Sequence, residues 1–226
     1  MATHTTARAR AREAVVEEIK AEARRQLAQA GAAALSLRAV ARELGMVSSA
    51  IYRYFPSRDE LLTALIIDSY ADLATAAERA VQRTDGPARE VWMAACGSIR
   101  TWAKRHPHEY ALLYGSPVPG YAAPQDTIDP ATAVYLALVE AVRRAAVPPS
   151  CKASGLAPGL EADAARITAA LDLDIDPARA VRLLGAWTQL FGLVSFELFG
   201  HTHNVIEDHD AFFEDRVGAL ADDLGL

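Results

Sequence analysis

The chain of 226 residues is 51% apolar and 23% charged, with 13 Gly and 11 Pro, so it can bury one large or two modest cores and fits neither a disordered nor a collagen-like composition. Its two cysteines, Cys96 and Cys151, form no CxxC pair; this argues against a disulfide framework and a thiolate zinc site and predicts two reduced thiols. The net charge of −6 is uneven: residues 1–60 hold ten Lys or Arg against seven Asp or Glu, net +3, while residues 61–226 hold thirteen against twenty-two, net −9. Only the N-terminal quarter therefore suits a polyanion. Alanine, at 47 residues, favours helix through its low side-chain entropy cost. The longest uncharged runs, Ala111 to Gln125 and Leu183 to Phe196, fall short of the roughly 18 to 20 apolar residues needed to cross a bilayer. The first dozen residues carry Arg8, Arg10 and Arg12 with no apolar run behind them. No membrane span, no secretory signal and a cytoplasmic location are expected.

From Arg10 to Ala30, apolar residues at Val16, Ile19, Ala23, Leu27 and Ala30 share one helical face, and Gly31 supplies a stop. Ser36 is placed to cap a second, short helix whose inner side carries Leu37, Val40, Ala41 and Leu44, ending at Gly45. A third short helix is predicted from Val47 or Ser48 to Tyr54, stopped by Pro56. Ser57 and Glu60 form a capping box for a long fourth helix over 58–83.

Beyond Asp85-Gly86-Pro87 the helical period resumes through Val91, Ala95, Ile99 and Trp102 up to His106-Pro107, and a short helix is expected to reach Tyr114. Residues 115–130, with Pro117, Pro119, Gly120, Pro124 and Pro130, read as a long loop. Helix is predicted again over Ala131 to Val147, Glu161 to Leu171, Asp176 to Gly200 and Asp208 to Leu224, with Pro148 to Pro158 as a link. No strand alternation and no repeat of 20 to 50 residues occurs. The last two helices carry Leu183, Leu184, Trp187, Leu190, Phe191, Val194, Phe212, Phe213, Val217 and Leu220. That exceeds one inward stripe, so a two-fold interface is expected to bury the excess.

The informative stretch runs from Leu35 to Leu62. A short helix, a Gly turn and a second short helix make a helix-turn-helix, whose second helix fits the DNA major groove. Ile51 and Phe55, four apart, should face the core, leaving Ser48, Ser49, Tyr52 and Arg53 on the opposite side. Small side chains let a helix approach base edges, and Tyr hydroxyl, Arg and backbone N–H groups suit phosphate oxygens.

These residues resemble the tetracycline-repressor-like (TetR) transcription regulators over about residues 10–66: an N-terminal helix, this helix-turn-helix, the Tyr52-x-x-Phe55 signature and a long fourth helix. The resemblance implies an all-α protein, with a three-helix DNA-binding domain over 1–57 and a helical effector-binding and dimerisation domain over 58–226, the fourth helix serving as connector. It further implies phosphate and base contacts from Ser36 and Arg38, base reading by Ser48, Ser49 and Ala50, phosphate contacts from Tyr52 and Tyr54, and a phosphate-binding role for Arg58, with Arg53 on the same face. Val47 stands where the family often has Ser or Thr, and Tyr54 where it often has His. The body is similar to a subgroup whose effector domain carries a Trp-containing motif before a Gly, here Trp187-Thr-Gln-Leu-Phe-Gly192, with Phe191 in place of the usual His.

Trp102, His106, Tyr110, Tyr114, Tyr121 and Phe191 are candidates for a pocket lining, because aromatic walls with a few polar tips suit small ligands. Each is equally a candidate for core or dimer contact. His201-x-His203 with Asp208 and His209, and the alternating Asp172, Asp174 and Asp176, read as polar surface turns rather than metal sites, since a ligand set needs convergence and the calcium-loop Gly and Glu are missing. No GxSxG, GxGxxG or GxxxxGK[ST] run is present, so neither an enzyme nor a cofactor is implied. The expectation is a homodimeric regulator that binds operator DNA, acts as a repressor and is released by a small apolar or aromatic molecule. The alternative is a helical small-molecule-binding protein or enzyme without DNA binding.

Overall fold

The structure, a computed structural model, describes residues 7–145, 156–157 and 159–226. Among the described residues the secondary structure is helical throughout: α1 (Ala7–Ala30), α2 (Leu37–Glu43), α3 (Ser48–Ile51), α4 (Arg58–Arg83), α5 (Ala88–Arg105), α6 (Pro107–Tyr114), α7 (Ile128–Arg143), α8 (Leu160–Ala170), α9 (Pro177–Leu198) and α10 (His209–Leu224). Cys151 and most of the expected link over 148–158 lie outside the described residues. The chain divides into two compact units, residues 1–69 with 106–128 and residues 70–105 with 129–226. The division falls within α4, and α6 with the loop after it belongs to the first unit.

The first unit closes on Ile19, Ala23 and Leu27 of α1, Leu37, Val40 and Ala41 of α2, Ile51 and Phe55, and Leu61, Leu62 and Leu65 of α4. Leu44 is only half-buried. Ser36 caps α2 by accepting the Ala39 N–H, at a long 3.5 Å, and Ser57 Oγ accepts the Glu60 N–H at 3.1 Å. Lys20 and Arg24 of α1 both reach Asp68 of α4, at 2.9 Å each. This half-buried carboxylate fixes the two long helices of the unit against each other. Tyr121, in the loop after α6, shares a 2.9 Å hydrogen bond with Thr63.

In the second unit α10 packs on α5 and α9, and α8 on α9. The Trp92 indole N–H donates to Val217 O at 3.1 Å, Trp102 donates to Asp72 Oδ2 at 2.9 Å, and the Tyr135 hydroxyl donates to Ala180 O at 3.1 Å. Burial pushes the Tyr135 phenol up to about 12 and holds it as a donor. The Cys96 thiol is fully buried and its pKa is pushed up in the same way. A bidentate pair joins Arg100 of α5 to Glu197 of α9, 2.6 Å for each bond, and Arg100 also reaches Asp210 at 2.7 Å.

Three local expectations need correction. The third helix ends at Ile51 instead of Tyr54, because Arg53 N–H and Tyr54 N–H bond three residues back, to Ala50 O and Ile51 O, and tighten the chain into turns. Pro130, expected in a loop, lies in the first turn of α7, where a missing N–H leaves no helical bond unmade. Of the ten apolar residues counted on the last two helices, Leu183, Leu190, Phe191, Val194, Phe213, Val217 and Leu220 are already buried without a partner chain, so the surplus left for a two-fold interface is smaller than the pattern implies. The large apolar side chains that α9 leaves exposed are Leu184 and Phe196 (37% and 57%), with Phe199 at its C-cap (41%).

Candidate nucleic-acid interface

The turn between α2 and α3 depends on Gly45, at φ +63°. An L side chain is strained there, and glycine is not. Met46 N–H returns to Ala41 O at 2.8 Å and closes the end of α2. Ile51 (0% exposed) and Phe55 (7%) anchor the segment in the core. With them inside, Ser48, Ser49, Tyr52 and Arg53 are exposed, Ala50 and Tyr54 half-buried, and Val47 stands out at 74%. On α2, Arg38 is exposed and Ser36 half-buried, its hydroxyl engaged in capping. The structure thus brings Ser48, Ser49, Tyr52 and Arg53 to one exposed segment.

Arg58 is differently placed. Its Nη2 donates to Ala32 O at 2.8 Å and Ala33 O at 3.2 Å, and its Nε is buried with no hydrogen-bond partner. The carbonyls belong to a 3-10 turn, Ala32–Ala34, that leads from α1 into α2. The side chain is 29% exposed and also lies 3.8 Å from Asp59 Oδ1. The two carbonyls lie 25 and 26 residues away, beyond the reach of any local pattern. A second feature missed in the sequence is Arg12 of α1, whose Nη2 donates to Arg53 O at 3.3 Å and whose guanidinium lies 5.2 Å from the Tyr54 ring centroid. Helical periodicity put Arg12 in line with Val16 and Ile19 and could have drawn attention to it.

The six pocket candidates are divided between the two units. His106, Tyr110, Tyr114 and Tyr121 belong to the first unit, and Trp102 and Phe191 to the second. The Tyr110 and Tyr114 rings lie 5.1 Å apart, tilted by 39°, and Phe191 lies 5.2 Å from Trp187. Among the described residues each unit carries a cavity. One, about 390 Å³, lies in the first unit between the end of α1, the Ala32–Ala33 turn, α6 and Ser116–Pro119. The other, about 240 Å³ and largely apolar, lies in the second unit among Gly192, Phe196, Thr202, Phe212 and Phe213. None of the six candidates lines either cavity. Among the described residues no cluster of His, Cys, Asp or Glu could hold a metal ion, and no helix is long and apolar enough to cross a membrane.

The exposed segment and its supports match known proteins. Residues 19–65 match the family described as bacterial regulatory proteins, tetR family, and residues 92–220 match a tetracyclin repressor-like C-terminal domain. HTH-type transcriptional regulators of Mycobacterium tuberculosis and Mycobacterium bovis are 41% identical, covering 93% of this chain and 92% of their own. The crystal structure of a regulatory protein, SCO4313, is 33% identical with a TM-score of 0.76, covering 95% of this chain and 98% of that one. A solved protein of unknown function from Rhodococcus sp. RHA1 is 25% identical with a TM-score of 0.64, covering 93% of each chain. A helix-turn-helix with its Gly turn, two buried anchors and an exposed polar segment, within matches that take in both units, makes this chain a member of the TetR family of bacterial transcriptional regulators.

Proposed function

We propose that the chain is a homodimeric repressor that grips operator DNA through α3 and the turn after it and releases it when a small apolar or aromatic molecule binds. The observation that carries the DNA contact is the pairing of buried Ile51 and Phe55 with exposed Ser48, Ser49, Tyr52 and Arg53 on one short segment. Ser48, Ser49 and Ala50 approach base edges in the major groove. Tyr52, Arg53, Tyr54, Arg38 and Ser36 meet phosphate oxygens on either side. Arg58 acts behind the interface, holding the turn that sets the start of α2. A two-fold dimer presents two such segments about one DNA turn, ~34 Å, apart or a multiple of it. The exposed Leu184, Phe196 and Phe199 on and beside α9 support the homodimer, and an operator places the protein's work in the cytoplasm.

The effector is supported by the largely apolar cavity lined by Phe196, Phe212 and Phe213 and by a neighbour of the same fold. That neighbour, a TetR variant of Acinetobacter baumannii, was solved in complex with minocycline; it is 18% identical with a TM-score of 0.52 and covers 89% of this chain. A ligand lowers operator affinity only if it binds the DNA-competent and incompetent conformations unequally.

Selection of bound duplexes from a random library, followed by competition with random DNA, tests the reading. Ser49→Val is expected to change the selected sequence, and Tyr52→Phe to weaken all sequences alike. A protein that binds selected and random duplexes equally tightly refutes operator recognition. Once a thermal-shift screen of aromatic compounds yields a binder, titration into free and operator-bound protein tests release. Equal affinities in the two refute induction and leave DNA binding intact.

A further inference from the structure

The core-facing stripe of α1 runs through Leu27, Ala23, Ile19 and Val16 toward the N-terminus and continues, at the three- and four-residue spacing of one helical face, into Arg12 and Arg8. The apolar part is spent on the core: Ile19, Ala23 and Leu27 are buried and Val16 half-buried. The first eight residues of the helix run beyond that core, and all except Ala9 are exposed. Positions that would be apolar if protein lay against them are therefore arginines facing solvent. Among the described residues, neither Arg8 nor Arg12 forms an ion pair with a carboxylate, and the first turn of α1 contains no acidic residue.

What this cationic face lies beside is set by Arg12. Its bond to Arg53 O and its position over the Tyr54 ring tie it to the end of the segment proposed to enter the major groove. Arg12 stays exposed there, and one bond from Nη2 leaves most of its five donors unused. Arg8 lies one turn farther along the same face, about 6 Å on at 1.5 Å per residue. Arg10, two residues from each, points about 200° around the helix axis from either.

We infer that the N-terminal turns of α1 form a second DNA-contacting element, in which Arg8 and Arg12 bind backbone phosphates flanking the groove occupied by α3. The inference rests on the DNA-binding reading above and adds to it a contact outside the helix-turn-helix. The partner is double-stranded DNA, because a row of guanidiniums at helical spacing beside a groove-reading segment complements a line of phosphates. Such contacts carry no sequence information, so they strengthen specific and random binding alike.

The test uses the full chain and a 30-base-pair duplex of mixed sequence, with binding measured by fluorescence anisotropy from 50 to 300 mM salt. One phosphate contact contributes about 0.9 to the slope of log affinity against log salt. Arg8→Gln is expected to flatten the slope by about 0.9 per bound protomer, an affinity loss of about eightfold per protomer at 0.1 M salt that vanishes on extrapolation to 1 M. Arg12→Gln should do at least as much, and Arg10→Gln clearly less. Helical circular dichroism should be unchanged in Arg8→Gln, since that side chain makes no hydrogen bond or ion pair within the described protein. A wild-type slope in Arg8→Gln overturns the inference while the helix-turn-helix reading stands. Equal flattening by Arg8→Gln and Arg10→Gln overturns it too, because diffuse charge rather than a directed face would then act. A wild-type chain that binds no duplex at 50 mM salt removes both readings together.

Discussion

Replacing Arg58 with methionine separates a residue that touches DNA from one that shapes the surface touching it. Methionine keeps much of the aliphatic stem and removes the guanidinium that donates to Ala32 O at 2.8 Å and Ala33 O at 3.2 Å. Hydrogen bonds from a charged donor are worth roughly 1.5 to 3 kcal/mol. Here both come from a single nitrogen of a side chain 29% exposed, so the lower end applies to each, about 3 kcal/mol for the two together. The freed carbonyls lose their partner, and removal of the unpartnered Nε returns about 1 kcal/mol. The net destabilisation of the turn is about 2 kcal/mol, which raises its opening equilibrium about thirtyfold at 1.36 kcal/mol per factor of ten. Amide hydrogen exchange over peptides spanning Leu27 to Val40 reads that opening directly. It is expected to accelerate by about this factor, while the salt slope of DNA binding stays at the wild-type value. Unchanged exchange, together with a slope flattened by about 0.9 per protomer, refutes the bracing role and returns Arg58 to the phosphate.

Other outcomes follow from the second unit. Leu190 is fully buried, so Leu190→Ala should cost about 2 to 5 kcal/mol in urea unfolding followed by tryptophan fluorescence, and a charge there should unfold the unit rather than merely split a dimer. Phe196, 57% exposed, behaves oppositely: Phe196→Glu should leave the unfolding midpoint in place and shift sedimentation from dimer to monomer, and a stable dimer refutes its place in the interface. Burial opposes ionisation of Glu197, yet hydrogen bonds and charge from Arg100 and Lys104 outweigh it and hold the carboxyl below its usual 4.5. A depressed folded-state pKa gives stability that is present above about pH 4.5 and lost as pH falls through the lower folded value. Glu197→Gln should therefore flatten the acid limb of the stability curve, and an unchanged limb refutes the contribution.

The sequence by itself determined what depends on neighbours a few residues apart. Helical spacing placed α1, α2 and the long helices, the caps at Ser36 and Ser57 showed in residue order, and Gly45 marked the turn, because helix formation and capping are decided within about four residues. Ile51 and Phe55 declared the inner side of the recognition segment, and with it the exposed Ser48, Ser49, Tyr52 and Arg53. Tertiary structure decided what those faces meet. Arg58 meets carbonyls 25 and 26 residues away, Arg12 meets Arg53 across 41 residues, and Lys20 and Arg24 meet Asp68 across 48 and 44. The surplus apolar residues of α9 and α10 pointed to a partner chain, but α5 and α8 already pack on these helices. A hydrophobic pattern records that a face must be covered and carries no address for the cover, since burial is non-directional. Long side chains such as arginine likewise take whichever acceptor the fold brings within reach, so their roles are settled only when distant segments come together.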